Sequence, residues 1–93
     1  MKKQITEFPE YSVDEDGKVY KNDTEINHTY DKITGHVFVF IDTFVITSYI
    51  PVYKLVAKYH LDNPNNYGSV LFKNSIFNDV RAENLEFVSD DYK

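Results

Sequence analysis

The chain predicts an α+β fold, a small antiparallel sheet with one main helix, and three stretches carry that expectation. His36-Val37-Phe38-Val39-Phe40-Ile41 is β-branched and aromatic almost throughout, which suits a strand. Val52, Leu55, Val56 and Tyr59 fall at i, i+3, i+4 and i+7, the stripe of an amphipathic helix. Asp14-Glu15-Asp16-Gly17 lies between Tyr11-Ser12-Val13 and Lys18-Val19-Tyr20 and reads as a hairpin turn, its glycine free to take positive φ. A chain of 93 residues has room for one core. Such a core buries roughly 60–65% of the surface the unfolded form exposes. A single domain over 1–93 is therefore expected, strand-rich over 1–50, with the helix and a smaller ordered region over 51–93.

Taken in order, the first third consists of short strands around the Asp14–Gly17 turn. Thr34-Gly35 leads into the aromatic strand and Asp42-Thr43 ends it. Phe44-Val45-Ile46-Thr47 then resumes as the second arm of another hairpin. Both faces of this pair are apolar, so the sheet is expected to be covered on both sides or to meet a partner with one of them. Pro51 suits a first helical turn, where its missing N–H costs nothing. The helix is expected to stop by Asn63-Pro64, because a residue before proline avoids the α region. Lys54 and Lys58 sit one turn apart on a face away from the apolar stripe. Asn65 to Gly68 is loop, Val70-Leu71-Phe72 a short strand, and Ala82 to Val88 a weaker ordered segment. No linker or internal repeat divides the chain.

Composition removes several function classes. With 42% hydrophobic and 16% aromatic residues, the chain carries too much apolar surface for a solvated coil. The absence of cysteine excludes disulfides and thiolate zinc sites. Met1-Lys2-Lys3-Gln4 enters polar sequence without a signal peptide's apolar stretch, and no run of about 18 apolar residues occurs, so a cytoplasmic protein that spans no membrane is expected. The net charge of −5 is unevenly placed. From Glu7 to Asp31 eight acids face only Lys18 and Lys21. From Thr43 to Asn78, Lys54, Lys58 and Lys73 outnumber Asp62, and the tail turns acidic again. Acidic turns keep aromatic-rich domains soluble, and the same clustering suits a surface that meets a basic partner.

The order of these pieces resembles the phage-borne HNH homing endonucleases. Pro9 to Tyr20 is similar to their opening "Tyr-x-Val-x-x-x-Gly-x-Val" element, and Thr34 to Val39 to their glycine-led second strand. Val52-Tyr53-Lys54-Leu55-Val56-Ala57 resembles their "Val-His-Arg-Leu-Val-Ala" helix, with Asn63-Pro64 following at the expected spacing. Arg81 to Val88 resembles their closing "Glu-Asn-Leu-Glu-Trp-Val". The resemblance runs from Pro9 to Ser89 and implies a degenerate ββα-metal-like HNH region at the C-terminal end. In that family an "Asn-His-x-Asp-Gly-Asn" stretch supplies the histidine general base and helps to hold a divalent ion. Ungapped alignment backwards from Asn84 sets Leu71 and Phe72 against the Asn-His pair, Asn74 against the aspartate and Ser75 against the glycine. No histidine follows His60. Phe72 has no proton to exchange, so general-base help of roughly 10²–10⁴-fold is missing there. Ser75 in place of glycine weakens the tight turn, and Asn84 serves equally well as a turn residue or a ligand.

Other chemistry finds no footing. His28, His36 and His60 lie on different elements without metal-ligand spacing, and His28 and His36 read as surface or edge residues. The Asp14–Lys18 stretch lacks the spacing of a calcium loop. No glycine loop cradles phosphate and no serine sits in a nucleophile elbow. No catalytic residue, metal or cofactor is expected. The leading expectation is a catalytically inert HNH-like phage accessory protein that binds, and inhibits, a bacterial nucleic-acid-binding protein. Asp14, Glu15, Asp16, Asp23 and Glu25 would form its acidic surface, and the aromatic strand its buried anchors. The alternative is a DNA- or RNA-binding regulator gripping through Lys54, Lys58, Lys73 and Arg81, against which the acidic balance stands. Residual metal-dependent nicking and a homodimer sealed by Phe38, Phe40 and Phe44 are further possibilities.

Overall fold

A computed structural model describes residues 1–43 and 45–91 of the chain. Its nine short strands form three antiparallel sheets around one α-helix. The first sheet joins β1 (Lys3–Gln4), β2 (Tyr11–Val13), β3 (Val19–Lys21) and β4 (Thr24–Ile26) in sequence order. The second joins β5 (Thr29–Tyr30), β6 (Val37–Asp42) and β7 (Thr47–Pro51). The helix α1 (Val52–His60) follows β7 directly, and β8 (Ser69–Phe72) then pairs with β9 (Leu85–Val88), which a 3₁₀ turn at Ala82–Asn84 introduces. The α+β class, the antiparallel pairing and the single helix agree with expectation. The expected single sheet is instead three, joined through the shared core and by a backbone hydrogen bond from the Ala82 N–H to the Glu15 carbonyl.

Each hairpin follows from local chemistry. In the first, Val13 faces Val19, and Asp14 Oδ1 accepts the N–H groups of Asp16 and Lys18 while Gly17 takes φ +87°. In the second, Phe40 faces Tyr49 and Asp42 faces Thr47. The return arm starts at Thr47 rather than at residue 44, three positions later than the sequence suggests. Thr43 explains part of this shift: its N–H donates to the Ile46 carbonyl, and its hydroxyl donates to the same carbonyl while accepting the Ile46 N–H. These bonds tie Thr43 to Ile46 just ahead of β7. Phe44, expected in the strand and in a dimer seam, lies outside the described residues.

Pro51 stands one position earlier than expected, capping α1 with φ −62° and ψ 131° rather than entering its first turn. Leu61 ends the helix in extended conformation, two residues ahead of Asn63-Pro64. The stripe Val52, Leu55 and Val56 is buried together with Ala57, and Tyr59 is half-buried. These side chains meet Ile5, which follows β1, Val13 and Val19 of the first sheet, Val39 and Ile41 of the second, and Phe72 and Leu85 of the third in one continuous core. Every sheet therefore depends on α1 for burial. Among the described residues no helix is long and apolar enough to cross a membrane.

Alternation along β6 sends Val37, Val39 and Ile41 inward and Phe38, Phe40 and Asp42 to the opposite face. There the Tyr49 ring lies 3.8 Å from Phe38 between centroids, which leaves Phe38 buried, whereas Phe40 and Tyr49 remain 52% and 53% exposed. One face of this sheet is thus covered by the protein and the other is only partly covered.

Candidate functional site

Phe72, the residue aligned with the family's histidine, closes β8 opposite Leu85 and is buried. Its ring packs against His36 at 5.5 Å, Tyr53 at 5.2 Å and Phe77 at 5.4 Å between centroids. His36 stacks on Phe77 at 4.8 Å with the rings nearly parallel. The outcome corrects the sequence reading of His36 as a surface or edge residue. It is half-buried among aromatic rings from three other segments, and its Nδ1 is buried without a hydrogen-bond partner in the structure. This is an apolar cluster with one polar ring. Among the described residues no three His, Cys, Asp or Glu side chains gather where they would hold a metal ion.

Asn84 is the one polar residue buried as a whole among the described residues. Its Oδ1 accepts the Asn74 N–H at 3.0 Å and its Nδ2 donates to the Asp79 carbonyl at 2.8 Å. It therefore pins both ends of the loop between β8 and the 3₁₀ turn, using its amide in the turn-holding role that the sequence left open. Ser75 adopts φ +61° within that loop, the conformation that favours the family's glycine. Ser75 thus occupies a left-handed turn position to which glycine is better suited.

The four cations of the nucleic-acid alternative differ in availability. Arg81 is clamped by Asp79, through Nε to Oδ1 and Nη2 to Oδ2 at 2.8 Å each, and by Glu83 at 2.6 Å. Asp79 is held at a pKa of about 2, first by Arg81, with further help from Asn74. Lys58 donates to both oxygens of Glu7 at 3.0 Å, and Tyr59 donates to Glu7 Oε1 at 3.0 Å. With Thr6 these bonds hold Glu7 at a pKa of about 2. Lys54 and Lys73 are exposed, and neither makes a salt bridge to a described residue. Lys54 and Lys58 line an open groove of about 650 Å³ between α1 and the start of β8, but Lys73 lies in the loop beyond β8.

The five acids of the proposed surface also separate. Asp14 is committed to its turn and accepts the Tyr20 hydroxyl on Oδ2 at 2.9 Å. That bond, burial, and the nearby charges of Asp14, Glu25 and Asp16 raise the Tyr20 pKa to about 12. Of these carboxylates only Asp14 accepts the hydroxyl, while Glu25 lies opposite Tyr20 across the β3–β4 pair. Glu15 pairs with the Met1 amino group and lies 4.0 Å from His60 Nδ1. Asp23 pairs with Lys2 at the opposite end of the hairpin. Asp16 and Glu25 are the two whose carboxylates accept no hydrogen bond from a described residue. Sequence composition located the acids; it had no means of finding these partners. The other histidines are similarly engaged, His60 Nε2 bonding the Val13 carbonyl at 2.7 Å and His28 Nε2 the Gly17 carbonyl at 2.8 Å.

The arrangement of hairpins, α1 and the β8–β9 pair defines an HNH-endonuclease-like fold. A solved structure of the HNH homing endonuclease I-HmuI, described for DNA binding and cleavage by that enzyme, matches with a TM-score of 0.85 at 21% sequence identity. The match covers 96% of this chain and 52% of that one, so the chain spans about half the length of the endonuclease. At this identity the likeness is one of fold. Neither a family model nor a curated protein sequence matches the chain.

Proposed function

We propose that the chain is a non-cleaving binding protein on an HNH fold, of phage origin, that engages and inhibits a bacterial protein which itself handles nucleic acid. The observation carrying this reading is the aromatic cluster that buries Phe72, where the family's chemistry needs a histidine exposed to water and phosphate. Asn84, the residue best matched to the family's closing motif, has both amide ends engaged by its own loop. The net charge of −5 and the carboxylates around Tyr20 favour a basic partner, of the kind that otherwise receives phosphates.

Asp14 makes a poor handle for a test, since its loss would open the β2–β3 turn. Asp16→Lys with Glu25→Lys reverses charge at two exposed positions without removing a described hydrogen bond. Capture of a nucleic-acid-processing protein from bacterial lysate should fall sharply for this variant, and equal capture defeats the acidic-surface mechanism. Supercoiled plasmid should stay intact with magnesium or manganese; nicking would overturn the non-cleaving reading.

A second reading is favoured by the fold likeness to a DNA-binding enzyme and by the Lys54–Lys58 groove. It makes the chain a nucleic-acid binder that does not cut. With Lys58 and Arg81 already paired, only Lys54 and Lys73 of the four cations in this reading remain to displace counterions. Retardation of duplex DNA that is lost on Lys54→Glu would establish this alternative.

A further inference from the structure

A hollow of about 200 Å³ opens beside the outer face of β6 and β7, with Asp31, His36, Phe38, Tyr49 and Tyr53 in its lining. Half of its lining residues are aromatic, and one carboxylate stands among them. Asp31 closes the β5–β6 hairpin: its Oδ1 accepts the Ile33 N–H at 2.9 Å and the Thr34 N–H at 3.3 Å. These two bonds fix the carboxyl and, with His36 nearby, hold its pKa below the ordinary value, so it is ionised at neutral pH. Oδ2 accepts no hydrogen bond from a described residue, and no described lysine or arginine pairs with it. Beside it, the buried His36 Nδ1 has no partner either.

A fixed anion with a free oxygen, set among aromatic side chains, has a defined complement. A cation gains from both the carboxylate and the ring quadrupoles. A planar guanidinium does so better than an ammonium, because it stacks on a ring while its N–H groups pair with the carboxylate. We propose that this hollow receives an arginine side chain of the protein partner, stacked on the aromatic wall and paired with Asp31 Oδ2. The inference rests on the reading of the chain as a binder of a basic protein and gives that reading a specific anchor. The exposed rings of Phe40 and Tyr49 continue the contact along the sheet.

The test needs no partner. Titrating the ¹⁵N-labelled protein with N-acetyl-arginine amide should shift the amides of residues 31–38 and 49–53, with millimolar affinity. N-acetyl-citrulline amide, of equal shape without charge, should bind at least about tenfold more weakly. Asp31→Asn keeps the Oδ1 acceptor for the turn and should remove the preference for arginine, and Tyr49→Ala should weaken binding of arginine with the fold intact. Equal binding of arginine and citrulline amides overturns the proposal, as does a response confined to other residues or no response at all. If this fails while the Asp16/Glu25 reversal still abolishes capture, the hollow is excluded and the partner reading stands. Plasmid nicking would defeat that reading and leave the titration unaffected.

Discussion

Asn84 shows how a residue that resembles part of a family motif can have its groups taken up by the fold. Its amide is buried with one acceptor and one donor engaged, so Asn84→Ala should lower stability by about 2 kcal/mol, measured by urea denaturation. Asn84→Asp should be no better, since the carboxylate has no N–H for the Asp79 carbonyl. Ser75 predicts the opposite sign. A non-glycine residue at φ +61° carries strain, and Ser75→Gly should raise stability by about 0.5–1 kcal/mol, net of glycine's greater freedom in the unfolded chain. Glu7 supplies a pH dependence. Its pKa falls from an ordinary 4.5 to about 2, so its contribution is complete above the higher value and is lost as pH falls towards the lower. Glu7→Gln should therefore flatten the acid limb of a melting-temperature profile, and an unchanged slope would contradict the assigned bonds. The local chemistry behind the Asp14–Gly17 turn was legible in sequence. The surroundings of His36 were not, because Tyr53, Phe72 and Phe77 reach it from three separate segments.

At the scale of elements, legibility tracked the range of the forces involved. The β-branched and aromatic run of β6 and the apolar stripe of α1 are signals confined to a few residues, and both elements emerged close to where they were expected. The start of β7 depends on how one threonine closes a loop, which composition does not encode. The ion pair of Lys58 with Glu7 joins positions 51 residues apart and has no sequence signature. For this reason the groove beside α1 read as more basic in sequence than it is in the structure. The aromatic cluster yields an element-level prediction. Phe72→His should destabilise the β8–β9 pair by about 2 kcal/mol, because the imidazole exchanges apolar packing for a polar ring with no ready partner. It should confer no plasmid cleavage, since restoring one group does not assemble a metal site.

For the molecule as a whole, the three sheets share one core, so these losses should appear as shifts of a single cooperative transition. In a domain of this size each kcal/mol corresponds to about 4–8 °C in Tm. Gly17 is the sharpest case. A Cβ there would lie 2.4 Å from Val80 Cγ2, on a backbone at φ +87°. Gly17→Ala should cost about 3 kcal/mol and lower Tm by roughly 10 °C or more, read by calorimetry. Separate melting of the first sheet and the β8–β9 hairpin would contradict the shared core.

The contact of Gly17 with Val80 also bears on how such a fold can be inherited. The Ala82 N–H donates to the Glu15 carbonyl at 2.7 Å beside it, so the first hairpin turn and the approach to β9 fit as latch and keeper. Shuffling between related genes with a crossover near residue 50 would separate the two. A chimera bringing a bulkier turn residue, or a smaller side chain at position 80, would inherit a mismatched closure even with every strand intact. The opening and closing segments should therefore vary together, and substitutions at one are best sought with compensation at the other.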